Sequence, residues 1–228
     1  DYSNYLLDKY QIDLDKVEPS ENGEQITISH LDQTTFEVFS DSIIISSIGA
    51  YFNAQPFLRS APSIFSISPS NNVRHTREYD ISNSNLKTMG WHYDTVNMIQ
   101  CAILLNDITE NDTHMQIAKG VHRKHRIKFK DRFYSDEYIN DHFEIVRSVG
   151  PAGTLVFFDS NSPHRIFTVK HSLRIYIKAM YTPGNDIASR VFPEQKELQV
   201  SIDGLDMSKL SNVQKNIYDY LDCNKNRT

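Results

Sequence analysis

The chain has little cysteine and no strong excess of charge of one sign. These features argue against a disulfide-rich scaffold and against a broad nucleic-acid-binding face. Of its 228 residues only two are cysteines, Cys101 and Cys223. That is too few for a disulfide scaffold, and a reducing, cytoplasmic compartment is expected. The net charge of −5 argues against a broad nucleic-acid face. The basic run at 120–130 is interpreted as a solvated loop in preference to a contact for a polyanion.

Long apolar runs are also missing. No stretch of about 18 apolar residues occurs, so no transmembrane helix is predicted. The first residues lack the basic start and the continuous apolar stretch of a signal peptide. The chain does not begin with Met, and two explanations stay open, namely processing and excision of a domain from a longer chain.

What the sequence does contain is short apolar stretches separated by turn residues. Hydrophobic residues make up 39% of the chain, and Tyr and Phe number 12 each, enough for a large core. Strands are predicted at 25–31, 34–39 and several later segments. Helices are predicted after Ser40-Asp41, after Ser135 and in the tail. Many short strands without alternating helices predict a mainly β fold, a sandwich or jelly roll.

One domain is expected to span residues 1–228. Within it, residues up to about 40 are expected to form an N-terminal extension. The catalytic core is placed at about 41–185, and a C-terminal extension with a helix at about 186–228.

A His-x-Asp motif, His92 and Asp94, stands at the start of an apolar segment. On a strand, residues i and i+2 point to the same side, so both side chains could reach one metal ion. Two His and one carboxylate form the facial triad of non-heme Fe(II) oxygenases, which leaves positions open for cosubstrate and O₂. His164, about 70 residues after Asp94, is the preferred third ligand. Arg174, ten residues later, offers a planar fork for a carboxylate, and a surface arginine is the alternative interpretation.

Further motifs complete a family resemblance. The segments "WHYDTV", "AILLNDITENDTHMQIAKGVHR", "GPAGTLVFFDSNSPHRIF" and "SLRIYIKAMY" resemble the phytanoyl-CoA dioxygenase-like family over roughly Ser40 to Tyr181. The "GVHR" run, Gly120 to Arg123, corresponds to the family's Gly-Ser-His-basic element. Val121 replaces the Ser there, and Lys119 stands where Pro is common.

The resemblance implies a fold and an activity. The fold would be a double-stranded β-helix, or cupin-like jelly roll, with flanking helices. His92, Asp94 and His164 would bind Fe(II), and Arg174 would bind the distal carboxylate of 2-oxoglutarate. The implied reaction is hydroxylation of an unactivated C–H bond in a small molecule, with release of succinate and CO₂. An Asp at the carboxylate position favours hydroxylation or another ordinary oxidation over halogenation.

Other polar residues are candidates for the cosubstrate or the substrate. Tyr176 shares the face of Arg174 and could donate to the cosubstrate, and Gln100 is a second cofactor-binding candidate. Gln100 and Gln116 have the alternative interpretation of ordinary half-exposed strand residues. Trp91 is expected to pack at the core edge.

Several basic residues have no assigned part in the metal site. Four histidines are not expected to bind metal: His114, His122, His125 and His171. His171 also precedes a strand, but it lies only three residues before Arg174. The segment with Arg74, His75 and Arg77 is interpreted either as a contact for an anionic substrate or as a charged loop.

Two alternatives to hydroxylation stay open. The first is a non-catalytic jelly-roll module that binds a carbohydrate or a metabolite. The second is another oxidative outcome on the same iron, such as desaturation, epimerisation or ring closure. Segments 71–87 and 120–130 are polar and basic, which favours a polar or anionic substrate.

Overall fold

The structure is a computed structural model that describes residues 2–17, 24–28, 32–67, 90–94, 97–121, 133–169, 172–183 and 206–217. The described residues form eight β-strands, which are β1 (Glu24–Ile28), β2 (Pro56–Ile67), β3 (Ile99–Leu104), β4 (His114–Ala118), β5 (Ile145–Arg147), β6 (Leu155–Asp159), β7 (His164–Phe167) and β8 (Arg174–Pro183). The α-helices within the same residues are α1 (Tyr2–Lys9), α2 (Gln33–Phe39), α3 (Ser42–Phe52), α4 (Asp136–His142) and α5 (Asn212–Asn216). Short 3₁₀ turns lie at Leu14–Lys16 and Met207–Lys209.

The strands form two antiparallel sheets. The larger sheet has the order β1-β2-β8-β3-β6, and the smaller has the order β5-β4-β7. Every pairing within them is antiparallel, and neighbours in space are mostly not neighbours in sequence. This is the jelly-roll arrangement, so the predicted fold class is confirmed.

The inner faces of the two sheets meet in an apolar layer. Ile67, Leu104 and Tyr176 of the larger sheet are buried in one cluster, against which Ile166 of the smaller sheet packs. Cross-strand partners point to the same side of a sheet. The register pairs Leu104 with Tyr176, and this identifies the inner face of the larger sheet.

The opposite face of the larger sheet carries the main core. Its strand residues pack with helices α1 to α3 and with the tail in one cluster that includes Leu6, Phe36, Ile48, Ile177, Ala179, Tyr181 and Ile217. Cys101 is fully buried in this layer, and burial raises the pKa of its thiol to about 12. The thiol is therefore protonated at neutral pH and is a core side chain away from the inner face.

The prediction of a strand at 34–39 is wrong, because this segment forms helix α2. The Asp32 carboxylate accepts a hydrogen bond of 2.6 Å from the Thr35 amide and so caps the helix. Phe36 and Phe39, three residues apart, then bury on one side of the helix, where strand geometry would have separated them. The cap and the apolar spacing outweigh the β propensity of Thr and Val.

The other helix predictions hold. Asp41 caps α3, and Ser135 caps α4 by accepting from the Tyr138 amide. In the tail, Ser211 begins α5 with a capping box. Among the described residues, none of the helices has the length and apolar character needed to cross a membrane.

Replacement of Phe36 by Ala tests whether α2 belongs to the core. Phe36 is fully buried, so Phe36→Ala is expected to lower the free energy of unfolding by about 3–5 kcal/mol. Urea denaturation measures the change. The control is Thr34→Ala, at an exposed position of the same helix. Equal, small losses for the two variants would show that α2 does not pack on the sheet.

Candidate metal centre

Three side chains converge at one end of the two sheets. His92 and Asp94 lie in the segment that precedes β3, and His164 is the first residue of β7. One ligand atom from each of the three lies within 4.8 Å of the others, a spacing that could hold a metal ion. The Nε2 atom of His164 lies 4.0 Å from Oδ2 of Asp94. The structure thus brings together the three residues that the sequence suggested.

Backbone hydrogen bonds hold these residues side by side. The His92 amide donates to the His164 carbonyl at 3.0 Å, and the His164 amide donates to the His92 carbonyl at 2.7 Å. The Asp94 amide donates to the Ser160 carbonyl at 2.8 Å. The expectation that His92 and Asp94 sit on a strand is therefore wrong in detail, because His92 makes isolated bridges and β3 begins only at Ile99. The short ladder nevertheless directs both side chains to one point.

The hydrogen bonds of the two imidazoles fix which nitrogen is available to a metal. Nδ1 of His92 lies 2.8 Å from the Gly90 carbonyl oxygen, and Nδ1 of His164 lies 2.9 Å from the Ser162 carbonyl oxygen. A carbonyl oxygen only accepts, so each Nδ1 must carry the proton. Each Nε2 then presents a lone pair to the centre, which is the arrangement found in metal-binding histidines.

His164 is buried and electrically neutral at ordinary pH. Burial and the neighbouring His92 lower the pKa of His164 to about 4, although the Asp94 carboxylate opposes this effect. The two imidazole rings lie 4.4 Å apart between centroids, and Phe158 packs edge-on against His164 at 5.0 Å. A neutral imidazole can bind a metal ion without first releasing a proton.

Gln100 holds the carboxylate of the site. Its Nε2 donates to Oδ2 of Asp94 at 3.2 Å, and the side chain is buried. Gln100 pairs with Met180 in β8, which places it on the inner face. One Asp94 oxygen is thus engaged by an amide, which orients the carboxylate toward the two imidazoles. The observed contact of Gln100 is with the candidate ligand Asp94.

A row of polar residues on β8 extends from the inner face near this centre. Arg174, Tyr176 and Lys178 alternate with the buried Ile175 and Ile177 on the other face. The Arg174 guanidinium carbon lies 4.0 Å from the centroid of the Tyr176 ring, and both side chains are 1% exposed. Arg174 is therefore a buried cation, which excludes the alternative of a surface arginine.

A second polar group lies on the outer face of the smaller sheet. Gln116 pairs with Arg165, one residue from His164, so both point away from the centre. Nε of Arg165 donates to Oε1 of Gln116 at 2.9 Å, and the guanidinium lies 4.5 Å from the Trp91 ring centroid. Nδ1 of His114 lies 2.7 Å from the Asp112 carbonyl oxygen, and Nε2 faces the Gln116 amide at 3.3 Å.

These contacts show which polar strand residues serve packing and which face the metal centre. Gln116 is a buried structural residue, neither half-exposed nor directed at the centre. Trp91 packs at the core edge as expected. The contribution of Arg165 was missed, because its face depends on strand pairing and no local motif marks it. By stacking on Trp91, Arg165 ties the segment with His92 to the strand with His164.

Some sequence candidates lie outside the described residues, namely Arg74, His75, Arg77, His122, His125, His171 and Cys223. Of the "GVHR" element the structure describes Gly120 and Val121. Gly120 has a φ of 76°, which favours glycine, and Val121 is fully buried against Trp91 and Ile139. The Val in place of Ser is thus a core residue.

Comparison with solved structures finds proteins of similar fold. EctD from S. alaskensis, in its apoform, matches with a TM-score of 0.53 and 13% identity over 79% of this chain and 68% of that chain. SnoN, a non-heme alpha ketoglutarate dependent epimerase from nogalamycin biosynthesis, matches with a TM-score of 0.53 and 12% identity over 84% and 80%. The non-heme monooxygenase ThoJ matches with a TM-score of 0.52 and 13% identity over 79% and 69%.

The chain shares their fold. At these identities the similarity concerns the fold alone. No family model matches the chain, and no curated protein matches it. The resemblance to the phytanoyl-CoA dioxygenase-like family therefore stays a prediction.

Loss of the Gln100 amide tests its effect on the centre. Gln100→Leu is expected to weaken Mn²⁺ binding by about 10–100-fold, because Asp94 loses the donor that orients it. Competition titration measures the affinity. Gln55→Leu, the same change at an exposed position, is the control and should leave the affinity unchanged. Unchanged affinity in Gln100→Leu would contradict the orienting effect.

Proposed function

We propose that the chain is an Fe(II)- and 2-oxoglutarate-dependent oxygenase whose iron is bound by His92, Asp94 and His164. The observation that carries the proposal is the convergence of the three ligand atoms within 4.8 Å. Imidazole and carboxylate ligands with open positions are typical of non-heme Fe(II) oxygenases. Nδ1 of each histidine donates to a backbone carbonyl, so Nε2 is the nitrogen left for the metal.

Arg174 is the proposed anchor for the distal carboxylate of 2-oxoglutarate. Its guanidinium is buried at the start of β8, with its carbon 4.0 Å from the centroid of the Tyr176 ring. The planar guanidinium fork is suited to two parallel hydrogen bonds to a carboxylate. The distal carboxylate of the cosubstrate would bring a negative charge to this buried cation. Tyr176 then acts through Arg174.

When bound, the iron and its cosubstrate supply the oxidant, so that one atom of O₂ enters a C–H bond of the substrate and the other enters succinate, with release of CO₂. The chain's own residues position the reactants and keep the pocket dry. Phe158 and Ala102 present apolar surface on the inner face. Gln100 and the Gly90 and Ser162 carbonyls orient the three metal-binding side chains.

Proteins of this fold support the same chemistry. EctD from S. alaskensis has been crystallised with bound Fe, and also with 2-oxoglutarate and 5-hydroxyectoine. Hydroxylation of a polar or anionic small molecule is the reaction that we propose for this chain. The epimerase SnoN has a similar fold, so a product analysis by mass spectrometry decides between hydroxylation and another oxidation.

Anaerobic titration with Fe(II) and 2-oxoglutarate tests the proposed ligands. The intact protein is expected to show the visible charge-transfer absorption of the metal-chelated cosubstrate, and His164→Ala is expected to lose it. His142→Ala, at the exposed end of α4, is the matched control and should retain the absorption. If the folded wild-type protein shows no absorption, the oxygenase proposal is wrong and the binding-module alternative gains support.

The same titration tests the anchor. Arg174→Met is expected to raise the dissociation constant for 2-oxoglutarate by about tenfold or more, because a charged hydrogen-bond donor is lost. Arg174→Lys, which keeps the charge without the fork, should give an intermediate value. Arg147→Met is the control, since that side chain is 42% exposed on a different strand. Thermal unfolding establishes that each variant is folded, and an Arg174→Met affinity equal to wild type would exclude the anchor.

A further inference from the structure

A pair of side chains on the outer face stands directly behind the two candidate metal-binding histidines. His92 and His164 are antiparallel bridge partners and exchange two backbone hydrogen bonds of 3.0 and 2.7 Å. In that register Trp91, one residue before His92, lies opposite Arg165, one residue after His164. Because successive residues of an extended segment point to opposite sides, the histidines face the centre while Trp91 and Arg165 meet behind them.

Hydrogen bonds hold the Arg165 guanidinium against the Trp91 ring. Its Nε donates to Oε1 of Gln116 in β4 at 2.9 Å, and its Nη1 donates to Oδ1 of Asp136 at the start of α4 at 2.7 Å. The guanidinium carbon lies 4.5 Å from the centroid of the Trp91 ring, and Arg165 is 7% exposed. The attraction between a cation and an indole ring is larger when the pair is shielded from water. Arg165 is thus fixed by two strands of the smaller sheet and by α4.

Trp91 is held on its own side by apolar packing. It is 1% exposed and lies in one buried cluster with Ala118, Val121 and Ile139. Its carbonyl oxygen also accepts a hydrogen bond of 3.0 Å from the Tyr134 amide. Both partners of the ring contact are therefore anchored in the fold, and their contact constrains the two histidines beside them.

Such a constraint matters because the backbone ladder at the histidines is short. His92 makes isolated bridges, and the His92 and His164 rings lie 4.4 Å apart between centroids. Side chains that must first be ordered reduce the affinity for a ligand, whereas side chains already in place do not. Residues behind the ligands of a metal can therefore change its affinity without touching it.

We propose that Arg165 is a positioning residue, whose contact with the Trp91 ring holds the two histidines at their separation and so raises the affinity for the metal ion. This inference rests on the proposed function, since it takes His92 and His164 as ligands of the iron. Arg165 points away from the centre and acts through its neighbour His164 and through the bridge to His92. A contact on the outer face thereby contributes to a site on the inner face.

The Mn²⁺ affinity of the metal-free protein, measured by competition titration, tests the positioning effect. Arg165→Met removes the cation and is expected to raise the dissociation constant for Mn²⁺ by about tenfold. Arg165→Lys keeps a cation that can lie over the ring, and it should recover most of the affinity. The control is Arg147→Met, which removes a 42% exposed cation from β5 of the same sheet and should leave the affinity unchanged.

The electron paramagnetic resonance spectrum of bound Mn²⁺ separates positioning from metal binding. At saturating Mn²⁺, Arg165→Met should give the wild-type spectrum, because the three ligands are retained, whereas His164→Ala should not. A purely structural role predicts a lower free energy of unfolding in Arg165→Met with an unchanged Mn²⁺ dissociation constant for the folded protein. That result would overturn the inference.

Trp91→Phe tests the same contact if Arg165→Met does not fold. Phenylalanine keeps an apolar ring in the core but attracts a cation less than indole does, so Mn²⁺ binding should weaken by about threefold. Val121→Ala opens a cavity in the same cluster without changing the ring, and it should bind Mn²⁺ as the wild type does. Equal affinities in these two variants would overturn the inference alone. Absence of Mn²⁺ binding from the wild-type protein would overturn the proposed function together with it.

Discussion

The paired backbone hydrogen bonds between His92 and His164 are the constraint on which the rest of the site depends. They join two segments about 70 residues apart and set the imidazole rings 4.4 Å from each other. Without a metal ion, two buried imidazoles beside a carboxylate gain little from this proximity, and desolvation holds His164 neutral. The arrangement is therefore maintained by the surrounding sheets, and a bound cation would convert it into a stabilising interaction.

The side chains between the sheets differ in charge from one region to the other. The metal centre supplies lone pairs and a carboxylate, while the start of β8 supplies the positive charge of Arg174. Phe65 stacks on the Tyr176 ring, and the Arg174 guanidinium lies over Tyr176. Under the proposed function, the chelating end of 2-oxoglutarate would lie at the metal centre and its distal carboxylate at Arg174. The outer faces, by contrast, serve packing, with Arg165 and Gln116 joining strands to α4 and Trp91.

The sequence predicted the jelly roll and the converging side chains, because strand alternation and residue types are local signals. The alternation of Arg174 with Ile175 left the interior and the surface both open, and the burial of Arg174 decides between them. Local β propensity led to the prediction of a strand where helix α2 lies. The Asp32 cap and the burial of Phe36 outweigh that propensity. The stacking of Phe65 on Tyr176 could not be predicted, because it depends on a register with irregularities between Leu58 and Ser63.

A crystal structure grown without oxygen, with Mn²⁺ in place of iron and with 2-oxoglutarate, tests the central claim most directly. One metal ion is expected, bound by Nε2 of His92, Nε2 of His164 and a carboxylate oxygen of Asp94. The Nδ1 contacts to Gly90 and Ser162 should be unchanged, because they set the tautomer of each ring. A metal ion bound elsewhere, or through Nδ1 of either histidine, would contradict the account.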